Sequence, residues 1–338
     1  MSSKVLNLEN NKKIIYILVS IVALATIVLY SMKTGSIEIS FNELITGLIK
    51  NDNNGNIGII KDVRLPRVLC AVLIGASLGV AGTLLQAVMK NPLADPGITG
   101  ISSGASLVAI IIMVFFPELN EFKSVVSFIG GSVAGIMVYL IAYDKGFSPI
   151  RIVLAGVAIN ALLTSMASIV TMFNGGVQNS IDMWLSGSLA TVTKSDVNIL
   201  AICTILGISL ALMTGKTCNL LSLEDKTSKS LGVDTTKQTI IISAIAVFLA
   251  STSTGVGGVI SFVGLIVPHI ARFIIGSNHN YLIPFSAALG SILLVLADTL
   301  GRTMFKPYEI PVGLVMSVIG APFFIYLLKR RKLSLIHI

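Results

Sequence analysis

An all-α, polytopic membrane protein with about ten transmembrane helices is the fold class this sequence predicts, and three observations predict it. Hydrophobic residues fill 54% of the 338 positions and charged residues only 12%. A soluble domain carries about 25% charged residues, so this chain lacks the polar side chains to coat itself in water. The mean hydropathy is +0.90. The apolar residues also gather into ten runs long enough to cross, or nearly cross, a bilayer, which takes about 20 residues per helix. None of the runs alternates as the roughly ten-residue strands of a membrane β-barrel would.

The runs fall at 14–32, 63–89, 98–116, 124–143, 150–173, 197–214, 238–254, 256–276, 282–302 and 311–328. The first is about a full span long and no A-x-A cleavage site follows it, so it reads as an anchor rather than a signal peptide. The connection after it carries a short amphipathic helix, SFNELITGLIK (40–50), with Ser40 as N-cap and Glu43 three residues on. In the second run Gly75, Gly79 and Gly82 form small surfaces for a neighbouring helix, as do Gly131 and Gly135 in the fourth.

Between the second and third runs stands KNPLADPG, with Asn91, Pro92, Asp95, Pro96 and Gly97. Proline lacks an N–H and stops a preceding helix. Asp95 followed by Pro96 reads as the N-cap and first position of the next helix. Gly97, Gly100 and Gly104 leave room for close packing, so this is a tight cytoplasmic turn packed back between helices, either a gate or a purely structural turn. The seventh and eighth runs part within a glycine-rich stretch near 250–258.

The longest charged internal loop is 217–238. Ser222 with Asp225 fits a capping box, and Gly232 fits a stop just past Leu231. Leu223, Thr227 and Leu231 repeat on one face, while Glu224, Lys226 and Lys229 point elsewhere. A short surface helix results, lying either on lipid headgroups or in a partner's groove. The tail KRRK (329–332) ends the last span.

Ten spans put both termini on one side. That side collects fifteen of the 24 Lys and Arg residues, so the termini are cytoplasmic by the positive-inside rule. The net charge of +8 therefore speaks for anionic lipid headgroups as a partner and not for nucleic acid. No linker divides the chain, and residues 1–338 read as a single transmembrane domain.

Chemistry is sparse. Gly215-Lys216-Thr217 mimics the end of a phosphate loop, but Leu210 stands where the first glycine belongs. His269, His279 and His337 are too few for a metal cage, and Cys70, Cys203 and Cys218 form no C-x-x-C pair. The expected cofactor, metal and catalytic sets are all empty. Within the spans the one prominent ionisable residue is Asp298, with Arg302 one turn on, either a self-neutralising pair or a proton relay. The chain lacks an engine and should borrow one; an ion-coupled secondary transporter built around Asp298 is the alternative.

Four stretches resemble the FecCD family, the permease subunits of ABC importers for iron–siderophore complexes, haem and vitamin B12. They are RLPRVLCAVLIGASLGVAGTLLQAVMKNPLADPGITGISSGA (64–105), LLSLEDKTSKSLGV (220–233), GGVISFVGLIVPHIARFIIG (257–276) and ADTLGRTMFKPYEIPVGLVMSVIGAPFFIYLL (297–328). Trp184, Leu185 and Gly187 add a weaker likeness. The resemblance implies the type II importer permease fold, working by alternating access. It also implies a second permease subunit (identical or a paralogue), cytoplasmic ATPase subunits, an external substrate-binding lipoprotein and a metal-chelate cargo. It makes the 220–233 loop a coupling helix, with Leu220, Leu223, Glu224, Thr227, Leu231 and Gly232 toward the ATPase. It matches Arg64, Arg67 and Arg302 to external arginines that pair with carboxylates of the binding protein. Snorkelling to lipid phosphate is the other reading of those three cations.

Overall fold

The computed structural model describes residues 3–35, 56–144, 147–173, 175–223 and 225–335, and in it each of the ten runs becomes a helix. In order these are α1 (Ser3–Lys33), α2 (Leu65–Val88), α3 (Ile101–Phe115), α4 (Lys123–Ala142), α5 (Pro149–Thr171), then a short α6 (Gln178–Leu185) and α7 (Lys194–Met213). Two short helices, α8 (Gly215–Leu221) and α9 (Asp225–Ser230), precede α10 (Thr235–Gly257), α11 (Val263–Ile275), α12 (His279–Thr303) and α13 (Val312–Leu335). By length and composition seven helices can cross a membrane, and α3, α11 and the first part of α13 are shorter apolar helices.

Three expectations need correction. The third run does not start as an α-helix at 98: Asp95 does cap Pro96, but the result is a 3-10 turn, Pro96–Thr99, and α3 begins after Gly100 turns left-handed. The seventh and eighth runs part later than expected, because α10 continues to Gly257. Gly258 then takes φ 71° and ψ −158°, a backbone state open essentially to glycine alone, and Phe262 is also left-handed. That detour shortens the eighth helix to 13 residues. Third, Ser222 is not an N-cap: its hydroxyl donates to the Cys218 carbonyl and closes α8 instead. The expected helix at 40–50 lies outside the described residues, as does Glu224.

The packing centre is α2. Of its apolar window 83% is buried, against 11% for α1 and 22% for α7, so α2 sits inside a jacket of helices whose outer faces are apolar. α12 lies along α2, and glycine makes that contact possible. A Cβ on Gly75 would strike the Gly290 carbonyl, one on Gly82 the Gly264 carbonyl, and one on Gly79 would come within 2.6 Å of the Ser286 carbonyl. Gly104 meets α4 in the same way at Gly130 and Ala134, while Gly131 and Gly135 of α4 meet Ser251 and Val247 of α10. Small residues thus do here what they do in membrane bundles generally, letting backbones approach where the hydrophobic effect gives little drive.

Candidate functional site

Three places gather the polar groups, two of them at the ends of the α2–α12 pair and the third in a groove beside it. α2 has 24 residues, or about 36 Å of helix, so its two ends lie on opposite faces of the bundle.

At the α2 C-terminus the chain turns through Lys90, whose left-handed φ of 47° reverses its direction. Asn91 Oδ1 accepts from the Leu93 N–H at 3.0 Å, and Asp95 Oδ1 accepts from the Gly97 N–H at 2.7 Å. Pro92 and Gly97 are partly exposed, while Ala94, Pro96 and Thr99 are buried. The turn is fastened from within. Gln86 Nε2 reaches the carbonyls of Ala94 and Gly264 at 3.3 Å, and Arg272 donates to Gln86 Oε1. Desolvation pushes the Asp95 carboxyl up to about 6, with the Gly97 N–H only partly offsetting it.

Beside this turn lies the α8–α9 loop. Lys90 Nζ donates to the Leu223 carbonyl at 2.6 Å. Ser228, fully buried, donates to the Leu220 carbonyl at 2.7 Å and holds α9 against α8. The helix ends as expected at Gly232, φ 81°, with the Val233 N–H returning to Ser228 and the Gly232 N–H to Lys229. Leu223 and Leu231 remain 42% and 58% exposed, and Thr227 is exposed beside them; Leu220 is half-buried. The helix itself is confined to Asp225–Ser230, so Leu223 and Leu231 flank it, and both are uncovered in this chain. α8 ties onward to α12, since Asn219 Oδ1 accepts from the His279 N–H at 2.8 Å.

The opposite end holds the arginines, and they do not face outward. Arg64, Arg67 and Arg302 are 7%, 6% and 5% exposed. Arg67 Nε donates to Asp298 Oδ1 and Arg302 Nε to Asp298 Oδ2, both at 2.9 Å. Arg67 Nη1 donates to Glu309 Oε2 at 2.6 Å, and that glutamate is 40% exposed. Arg302 Nη2 adds Ser31 Oγ at 2.8 Å, and Arg64 Nη1 adds the Met32 carbonyl at 2.8 Å. With further bonds from Arg302 to the Ser31 and Thr34 carbonyls, the arginines satisfy carbonyls left unpaired at the C-terminal end of α1. Asp298 thus pairs with two arginines at once; the i,i+4 pair read from sequence is half of a larger cluster.

The third place is a groove of about 670 Å³ between α3, α5, α6 and the 259–265 stretch, within the size range of small-molecule sites. Sequence reasoning missed it, although the signal was there. Asn160, Thr164, Ser168 and Thr171 recur at intervals of four, four and three, one stripe of α5, and the first three are exposed. Facing them are Ser102, Ser103 and Ser106. A polar stripe exposed on a membrane helix meets water or another protein rather than lipid tails. Asp95 closes one end of the groove and is the single ionisable residue among its described lining.

Among the described residues no group of three or more His, Cys, Asp and Glu could hold a metal ion. Cys70 and Cys218 are buried; burial pushes the Cys218 thiol up to about 11, so it packs as a small apolar group.

Comparison with known proteins agrees with this geometry. The profile of the FecCD transport family matches residues 22–330. The chain is 38% identical over 325 residues to a Staphylococcus aureus protein named as a heme-iron transport system permease, IsdF, covering 96% of this chain and 98% of that one. It is 39% identical over 302 residues to the Fe(3+)-citrate import system permease YfmD of Bacillus subtilis, with 89% and 90% covered. Among solved structures, an inward-facing ABC transporter described as of metal-chelate type superimposes with a TM-score of 0.79. It is 27% identical and covers 94% of this chain and 99% of its own.

Proposed function

From the premise that the chain belongs to the FecCD transport family, we propose that it is the permease subunit of an ATP-driven importer that carries an iron chelate through the α3–α5 groove. The whole chain acts as one permease unit. The observation that carries this reading is the exposed polar stripe Asn160–Thr164–Ser168 that faces the groove from a largely apolar span. A second permease subunit closes over the stripe and completes a polar path. The relatives named for heme-iron and ferric citrate support iron as the cargo.

The two ends then take different partners. The termini and the α8–α9 loop face the cytoplasm, where Leu223, Thr227 and Leu231 insert into a groove on an ATPase subunit. Leu220, Glu224 and Gly232 shape the same contact, and the Asn219–His279 bond carries ATPase movement to α12. The 91–97 turn, including Asn91, Pro92, Asp95, Pro96 and Gly97, is the cytoplasmic gate of the path. Its attachment through Gln86 to α11 means that it opens only when α11 shifts. The Arg64–Arg67–Arg302 end faces outward to the substrate-binding protein. Because the guanidiniums are already engaged, a partner carboxylate docks by exchanging with Glu309, the exposed member of the cluster.

Proteoliposomes holding the chain with its ATPase and binding protein test this. ATP should drive uptake of iron-55 chelate, while an imposed proton or sodium gradient without ATP should drive none. Gradient-driven uptake by the chain alone would overturn the reading.

A further inference from the structure

Of the twenty described residues lining the groove, nine carry a hydroxyl or side-chain amide, one is Asp95, and none is Lys, Arg or His. The hydroxyls are oriented unevenly. Ser103 donates to the Gly100 carbonyl at 2.8 Å, Ser106 to Ser102 at 2.7 Å, Ser168 to Thr164 at 3.0 Å and Thr171 to Ser168 at 2.7 Å. A hydroxyl has one proton to give, so these four turn lone pairs toward the groove. The Gln178 amide gives one of its two protons to Asp182, at 2.9 Å, and has the other left to donate. The wall thus presents acceptors at these four positions, while Asn160, Gln178, Ser102, Thr164 and Ser261 can donate as well as accept; it bears one carboxylate at its inner end and, among the described residues, offers no cation.

An anion entering such a space would lose hydration without gaining a charge-assisted partner, and Asp95 would repel it. A neutral or cationic ligand presenting N–H or O–H groups would instead find acceptors along its length. The described lining of this subunit also holds no His, Cys, Tyr or Met, so it contributes no axial ligand to a heme iron. Resting on the importer reading above, we propose that the groove selects cargo by charge: it passes iron chelates of zero or positive net charge with outward hydrogen-bond donors, and it disfavours carboxylate-bearing chelates and heme.

Charge can be isolated from size. The detergent-solubilised complex of this chain with its ATPase is dialysed to equilibrium against iron-55 bound as a neutral ferric trihydroxamate, as a trianionic ferric tricatecholate of similar bulk, or as ferric citrate. The neutral chelate should be retained at least tenfold more tightly than either anion. Ser168→Lys, at an exposed lining position, should reduce that ratio at least tenfold; Thr164→Lys serves if the first variant does not insert. Equal or tighter retention of an anion, retention of none of the three, or an unchanged ratio in a folded lysine variant would overturn the proposal. ATPase activity of the same preparation, and its uptake in liposomes, report separately on the importer reading.

Discussion

The two ends of α12 are held by opposite means. At its N-terminus the ties are neutral or singly charged: Asn219 to His279, and on neighbouring helices Arg272 to Gln86 and Gln86 to two carbonyls. At its C-terminus a carboxylate lies between two guanidiniums, all three residues almost fully buried. Amide hydrogen bonds can break and re-form singly at about 1 kcal/mol each. A buried ion cluster cannot lose one member without stranding the charge of another. The first kind of tie suits the end proposed above to rearrange, the second the end proposed to keep its shape while the binding protein docks.

Substitutions can break that contrast or sharpen it. The largest effect belongs to Asp298→Ala, which leaves Arg67 and Arg302 buried with no shared counter-ion and should cost about 3–5 kcal/mol. The midpoint of thermal unfolding in detergent measures it; a shift no larger than that of a lipid-facing control such as Leu140→Ala would mean the cluster is not holding that end. Next comes Asp95 at the opposite end. Its folded value of about 6 exceeds the ordinary 3.8, so between these values the folded chain holds more protons than the unfolded one. Stability is therefore favoured below pH 4 and falls as pH rises toward 6, by about 1–3 kcal/mol. Asp95→Asn keeps an N-cap acceptor and should flatten that slope in unfolding scans from pH 4 to 7; a wild-type profile that is already flat contradicts the desolvated site.

Smaller still is Glu309→Gln. Its partner Arg67 keeps Asp298, and the glutamate is part-exposed, so the loss should stay near or below 1 kcal/mol. Its signature lies in association instead: with the resident carboxylate gone, the binding protein should bind several-fold more tightly, read by surface-immobilised titration. Last, Leu223→Asp with Leu231→Asp should leave the unfolding midpoint within about 0.5 kcal/mol, because both side chains are exposed, and yet abolish co-purification of the ATPase.

The sequence made the helices legible because hydropathy alone sets which segments enter a bilayer, and the ten runs needed only local trimming. The glycines were legible too: Gly75, Gly79 and Gly82 share one face of α2, and that face meets α12 and α11. Two features were not. The arginines read as outward cations because Asp298 lies 231 positions from Arg67, and no local pattern announces such a partner. Ser222 read as an N-cap since the same hydroxyl can serve a helix end on either side of it. The groove stripe was visible as spacing on α5 but hidden in the average, because four polar residues barely lower the hydropathy of a 23-residue helix.

The backbone contact between Gly75 and Gly290 has a mechanical corollary. Two helices touching without intervening side chains have no soft layer to shear, and a register shift would press carbonyl oxygens into Cα atoms. The α2–α12 pair therefore moves as a single girder, and a pull on His279 reaches Asp298 as tilt. Flexing is left to the thinly packed outer helices, and since α5 is one of them and lines the groove, the proposed path has a wall that can yield beside a spine that does not.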